Sequence, residues 1–330
     1  MKKWIALGFA VIAALMLLLL PDATKPKYFH HQGNTFGTYY NIRYEATEDL
    51  HNVITSSLQS VDNSLSMFNP NSVISKINHN ESAALDSLFI SMYHEALSIS
   101  QLSNGAFDIT IAPLVNAWGF GKNIHKSKDK IQDINIDSIK EFIGYHKIYL
   151  ENSNIVKKDP RIMLDASAIA KGYGCDIVAN ALRENGCKNL LVEIGGEVVL
   201  QGINEKGNPW RVGISRPQKD AIGTEDTLQE IISSEDLCMA TSGNYMQYYF
   251  VDGKRRSHTI DPRTGYPVEH SLLSATVTAS SCMRADALAT ACMVLGEEDA
   301  LKMIENTNDA ACYLIIADID SLRVVTSSRW

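Results

Sequence analysis

Apolar positions in this chain follow two different rhythms, and the alternation between them organises the reading. From Leu85 through Leu88, Phe89, Met92, Ala96 and Ile99 they recur at three- and four-residue steps, which predicts a helix that Asn104-Gly105 ends. Residues 273–279 (LSATVTA) instead alternate, placing Leu273, Ala275, Val277 and Ala279 on one face of a strand. That strand leads directly into residues 285–291 (ADALATA), a helical stretch with Ser280 and Ser281 as N-caps before it and Gly296 as a C-cap after it. Further strands are predicted at 38–44, where the first strand is expected after a polar linker at 22–27, and at 189–194 and 210–214. A hairpin is expected at 245–260 with Asp252-Gly253 as its turn. The glycines of EIGGEV, Gly195 and Gly196, interrupt a strand-like segment and mark a bulge or a close approach of a ligand to the backbone. No repeat, low-complexity tract or interdomain linker divides the chain, so one continuous α+β domain, with two lobes around a cleft, is the expectation for residues 25–330.

The N-terminus departs from both rhythms. Lys2 and Lys3 precede an unbroken apolar run from Trp4 to Leu20, 17 residues ending at Pro21, just long enough to span a bilayer as a helix. Residues 1–24 are therefore expected to be a signal or anchor segment that sends the remainder across the inner membrane to the periplasmic face, with the lysines left inside. No A-x-A-like cleavage site is evident, which favours an uncleaved anchor.

A hydrophobic content of 45% is that of a globular protein, and the formal net charge of −8 argues against nucleic acid as a partner. A phosphate-bearing ligand would need a local positive centre, either a metal ion or a lysine. Six cysteines (Cys175, Cys187, Cys238, Cys282, Cys292 and Cys312) contain no C-x-x-C pair; export permits disulfides, while their apolar surroundings suit buried thiols equally. The lysine-rich stretch 122–130 reads as a solvated insertion.

Within these elements a few residues could carry chemistry. Asp286 and Thr290 are four apart on a helix, so a carboxylate and a hydroxyl leave the same face as two hard oxygen donors, a candidate Mg²⁺ site. A first-turn acid beside a tolerated surface threonine is the plainer reading of the same pair. LDASAIAKGY at 164–173 can direct a backbone carbonyl, Asp165 and Lys171 into one cleft, or can be a strand end followed by a capped helix. In GAFDIT, Phe107 could stack on a ring while Asp108 bonds it, although a core phenylalanine beside a capping aspartate is equally ordinary. His258, expected in the returning arm of the hairpin, is suited to proton transfer near neutral pH if a phosphate lies beside it. No G-x-G-x-x-G, P-loop, G-x-S-x-G or H-E-x-x-H pattern occurs.

Taken in order, GTYYNIRY, SMFNPNSVISKIN, GAFDITIAPLVNAWGF, LDASAIAKGYGCD, NLLVEIGGEV, ATSGNY, SHTIDPRTGYPV and ADALATACMVLG resemble the FAD:protein FMN transferase family, the ApbE-like flavin transferases. The resemblance implies a two-lobed, T-fold-related domain that binds FAD with Mg²⁺, and an extracytoplasmic enzyme. It further implies transfer of FMN to a threonine or serine hydroxyl of an acceptor flavoprotein as a phosphoester, with release of AMP. By position, Phe36, Phe68, Ala106, Phe107, Asp108, Asp165, Lys171 and Ile260 would contact FAD, and Ala168 (through its backbone oxygen), Asp286 and Thr290 would hold the metal. His258 is the candidate base for the acceptor hydroxyl, with Asp286 as the alternative. The absence of cysteine among the first 30 residues departs from lipoprotein relatives and leaves the apolar leader as the means of attachment. An Mg²⁺-dependent FAD pyrophosphatase and a non-catalytic periplasmic flavin-binding protein are the competing readings; the second has no use for the Asp286/Thr290 pair.

Overall fold

A computed structural model describes residues 25–121, 135–217, 228–244, 248–251, 254–319 and 321–330. The leader at 1–24, the lysine-rich stretch 122–130 and the Asp252-Gly253 turn lie outside the described residues. Among the described residues no helix is long and apolar enough to cross a membrane.

One eight-stranded antiparallel sheet, in the order β1-β2-β5-β6-β9-β12-β13-β14, forms the frame. Its strands are β1 (Lys27–Thr35), β2 (Thr38–Ala46), β5 (Leu190–Ile194), β6 (Glu197–Gln201), β9 (Asp236–Gly243), β12 (Leu272–Thr278), β13 (Ala311–Ala317) and β14 (Leu322–Thr326). Side chains alternate across this sheet, and both faces are covered. Leu190, Val192 and Ile194 of β5 enter one core while Leu191 enters another on the opposite face; Leu314 and Tyr313 of β13 divide in the same way. Strands that bury both faces read as nearly continuous apolar runs, as LLVEI and ACYLIIA do.

One face packs under the helices α6 (Ala170–Glu184) and α7 (Cys282–Leu295), joined by α1 (His51–Leu65), α2 (Val73–Asn78), α3 (Ser87–Leu102) and α8 (Glu297–Glu305). The other is partly covered by the hairpin β7–β8 (Trp210–Ser215 and Leu228–Ser234), which lays Trp210 on Leu191, Val198, Leu200 and Met239. Two short helices, α4 (Ala112–Ala117) and α5 (Ile136–Lys140), build a satellite core of Leu114, Trp118, Ile136, Ile143 and Ile260. The hairpins β3–β4 (Ile148–Glu151 and Asn154–Lys157) and β10–β11 (Tyr248–Val251 and Lys254–Ser257) are the remaining described strands.

Several expectations need correction. The first strand is β1, not the one beginning at Thr38; KYFHHQGNT is a polar edge strand whose sequence lacks an apolar face. Gly195 and Gly196 do interrupt the strand, but as the two-residue turn joining β5 to β6 rather than as a bulge, with Ile194 paired to Glu197 and both φ values positive, at 63° and 105°. His258 lies just beyond β11, which ends at Ser257. All six cysteines are free thiols, five of them buried.

The contact that locks the helical layer is the crossing of α6 and α7. A Cβ placed on Gly172 would lie 2.2 Å from the Cys282 carbonyl oxygen and 2.8 Å from the Asp286 Cβ, so only glycine lets the two backbones come this close. Asp176, one turn further along α6, accepts the N–H groups of Cys282 (3.0 Å) and Met283 (2.8 Å) and so caps the start of α7. Gly172→Ala should therefore destabilise the protein by about 1–3 kcal/mol or more, as overpacking against backbone does, and chemical denaturation should show it; a variant as stable as the wild type would mean that the crossing is loose.

Candidate active site

The same crossing creates the site. At the first turn of α6 the Gly172 N–H does not bond the carbonyl of Ala168 four residues back; it donates to Asp286 Oδ2 at 3.0 Å. One carboxylate oxygen is thereby fixed; Ala168 lies two residues before α6, and its carbonyl does not accept the Gly172 N–H. Asp286 is only 1% exposed, so it is far from the solvated first-turn acid that is the plainer reading of its sequence position. Thr290 follows one turn later, and its hydroxyl meets that of Ser242 on β9 at 3.2 Å.

Lys171 closes this group. Its Nζ lies 2.7 Å from Glu197 Oε1 and 3.6 Å from Asp286 Oδ1. Burial works against the ammonium charge, but Asp286 and Glu197 outweigh it and hold the lysine above its ordinary value. Burial pushes the Glu197 carboxyl up; Lys171 pulls it back and Asp286 adds to the rise. Sequence reasoning passed over Glu197. The available signal was an acid at the head of an otherwise apolar strand, EVVLQ, but only the hairpin turn before it brings the side chain to Lys171.

Beside this centre, the GAFDIT and LDASA segments run together. The Asp165 N–H bonds the Ile109 carbonyl at 2.7 Å, Ile111 bridges to Met163, and Asn78 clamps both backbone groups of Leu164 at 2.6 and 2.9 Å. Asp165 accepts from the Ser167 N–H at 2.8 Å and borders a groove with Met67, Asn78, His79, Val115 and Asn116; burial raises its pKa. Ala106 and Phe107 are buried, Phe107 within the main core, so stacking on a ligand would require its ring to leave that core. The carboxylate of Asp108 is fully engaged, with Oδ1 taking the Thr110 N–H and hydroxyl and Oδ2 the Tyr145 N–H. It organises its loop.

Phe36 occupies the turn between β1 and β2 at φ 50°, an uncommon conformation for a bulky residue, with its ring laid against α6 at Gly174. Phe68 is 65% exposed, free to cover a ligand. Ile260 is buried in the satellite core and bridges to Pro267. His258 is half-buried, edge-on to Phe120 with ring centroids 6.3 Å apart. Its neighbour Thr259 hydrogen-bonds Asn244, two residues beyond the Ser242 that touches Thr290, so the histidine segment and the metal candidates share one strand end.

Among the described residues no cluster of three or more His, Cys, Asp or Glu is placed to hold a metal. A metal here must be a hard one, content with a single carboxylate and neutral oxygens. Asp286 Oδ1, the Thr290 hydroxyl and the Ala168 carbonyl are such a set, and Mg²⁺ fits their chemistry better than zinc or copper does.

The ApbE family profile matches residues 36–314. The chain belongs to the ApbE family. A FAD:protein FMN transferase from Vibrio cholerae is 36% identical over 340 aligned positions that take in all of this chain and 98% of the relative. One from Haemophilus influenzae is 35% identical with the same coverage. Among solved ApbE structures, the flavin transferase ApbE from Vibrio cholerae superposes with a TM-score of 0.80 at 35% identity, over 92% of this chain and 98% of that one. The apo flavinyl transferase ApbE of Pseudomonas stutzeri does so with a TM-score of 0.80 at 30% identity, over 93% and 97%.

The Asp176 cap gives this ApbE protein a measurable pH signature. Burial raises the Asp176 pKa from 3.8 to about 6. A carboxyl raised on folding favours the folded state fully below its unfolded value and loses that contribution as pH rises through the folded one. Asp176→Asn, which stays neutral, should thus gain in melting temperature relative to the wild type as pH is taken from 4 to 7 in chelator. A gap that does not change with pH would contradict a raised Asp176.

Proposed function

We propose that this protein transfers FMN from FAD to a threonine or serine hydroxyl of an acceptor flavoprotein, forming a phosphoester and releasing AMP. The observation that carries the reading is the buried Asp286 of an ApbE-family fold, fixed by the Gly172 N–H, with Lys171 and the Thr290 hydroxyl beside it. The relatives' printed name, FAD:protein FMN transferase, supplies the donor and the class of acceptor.

In the reaction the acceptor oxygen attacks the phosphorus of the FMN half. A new P–O bond forms, the bond from that phosphorus to the bridging oxygen breaks, and AMP leaves with the bridging oxygen. Most of the barrier in such a transfer is lowered by alignment and by positive charge around the phosphoryl oxygens. Mg²⁺, which Asp286, Thr290 and the Ala168 carbonyl would hold, supplies part of that charge when bound. Lys171 supplies a second cation, kept protonated by its two carboxylates. His258 is the proposed base that takes the hydroxyl proton and passes it to solvent. Asp165 and the groove it borders, with the exposed Phe68 beside Met67, are the proposed seat of the flavin half.

The domain is proposed to work at the periplasmic face of the inner membrane, held there by residues 1–24. Lys2 and Lys3 before the Trp4–Leu20 run support that orientation. A reporter fused after Trp330 should be active only outside the cytoplasm; activity confined to the cytoplasm would defeat the assignment.

Transfer is tested by co-expressing the chain with a candidate acceptor and following flavin fluorescence in a denaturing gel, with mass spectrometry to locate the added FMN. Asp286→Ala should reduce the rate by about 100-fold or more, the scale set by losing the charge that holds a catalytic metal. Thr290→Val, which removes a neutral donor, should do less harm. EDTA should stop transfer and excess Mg²⁺ restore it. Full activity of Asp286→Ala, or transfer that survives exhaustive chelation, would rule out metal-assisted chemistry at this site.

A further inference from the structure

Glu197 enters the proposed chemistry only as one of the two carboxylates that keep Lys171 charged, and its placement suggests more. It is 2% exposed at the head of β6, and although its Oε1 takes the Lys171 ammonium at 2.7 Å, its Oε2 is buried without a hydrogen-bond partner. A carboxylate so placed is costly to bury, and a purely structural role would be filled as well by an amide or an apolar side chain. Its charge therefore calls for a reason. The neighbouring distances supply one: Lys171 forms a loose ion pair with Asp286 Oδ1 at 3.6 Å, beyond hydrogen-bond contact, and would close on it if Glu197 did not hold the ammonium at 2.7 Å. An Asp286–Lys171 pair alone would be neutral and would resist a divalent cation. With Glu197 included in its ionised form, which the Lys171 ammonium favours against burial, the three groups sum to a single negative charge.

We propose that Glu197 is a positioning residue that holds the Lys171 ammonium off Asp286, so that Asp286 keeps an oxygen and its negative charge available to a divalent cation. The unpaired Oε2 is the second acceptor on which the ammonium settles as it moves away from Asp286. Lys171 is thereby kept beside the cation site as a separate positive charge, and the two can act on one diphosphate together. This inference rests on the reading of Asp286 as a cation ligand.

The test is Mn²⁺ binding to the full-length chain without FAD, read by the electron paramagnetic resonance of free Mn²⁺, so that no turnover is involved. The wild type should bind Mn²⁺, and Asp286→Ala should abolish binding. Glu197→Gln, nearly isosteric, should weaken binding about tenfold or more, the effect of returning one nearby unit charge to the site. The double variant Lys171→Met/Glu197→Gln, which removes a charge of each sign, should recover to within about threefold of the wild type, within the scatter of additivity. Equal affinity in Glu197→Gln and wild type overturns the proposal while leaving the cation site standing. A double variant as weak as Glu197→Gln also overturns it, since Glu197 would then be a ligand itself. Absence of Asp286-dependent binding in the wild type removes the cation reading and this inference with it. Should Glu197→Gln fail to fold by circular dichroism, Lys171→Met alone decides: binding at least as tight as the wild type supports the proposal, and weaker binding overturns it.

Discussion

The hydrogen bond from the Gly172 N–H to Asp286 is the constraint on which the rest of the site depends. It requires α6 and α7 to cross at backbone distance, which a side chain at position 172 would prevent. It satisfies one of the orphan N–H groups in the first turn of α6, just after Ala168. It also fixes the Asp286 carboxylate by one oxygen, leaving the other facing Lys171. A buried acid is expensive unless satisfied; here its satisfaction and its orientation come from the same bond.

The sheet supplies what the helices cannot. Its β5–β6 turn delivers Glu197 to Lys171, and β9 delivers Ser242 to Thr290, so each candidate functional group on a helix is braced by a strand beneath it. Covering both faces makes those strands stiff supports, and the cores on either side hold the helices and the β7–β8 hairpin against them. Sites on such elements keep their geometry better than sites on loops. The groove bordered by Asp165 is built differently, from two segments of irregular chain tied to each other by the Asp165–Ile109 hydrogen bond and the Ile111–Met163 bridge, with Asn78 clamping Leu164.

Much of this was legible in the sequence where periodicity is local. The Asp286–Thr290 spacing places both groups on one helical face whatever the tertiary fold, and α3, β12 and β7 follow their apolar patterns to within a few residues. What escaped is non-local. Glu197 acquires meaning only through a hairpin that presents it to a helix 26 positions earlier, and Gly172 only through a crossing with residues more than a hundred positions away. The β1 strand was missed because an edge strand need not be apolar, and His30, His31 and Gln32 disguise it. In GAFDIT the residue types left ligand contact and a core-and-cap role equally open; the structure packs Phe107 in the core and engages Asp108 with Thr110 and with Tyr145, 37 residues on.

The central claim is that one oxygen of Asp286, the Thr290 hydroxyl and the Ala168 carbonyl form the cation site at which the FAD diphosphate is held. A crystal structure of the protein soaked with FAD and Mn²⁺, with anomalous data, tests it most directly. The account predicts a Mn²⁺ peak in bonding contact with all three oxygens and with the diphosphate, and the Lys171 ammonium on the same diphosphate. A well-occupied peak elsewhere, such as the groove of about 500 Å³ lined by Tyr39, Arg43, Lys206 and Arg211 on the opposite face of the sheet, would contradict it.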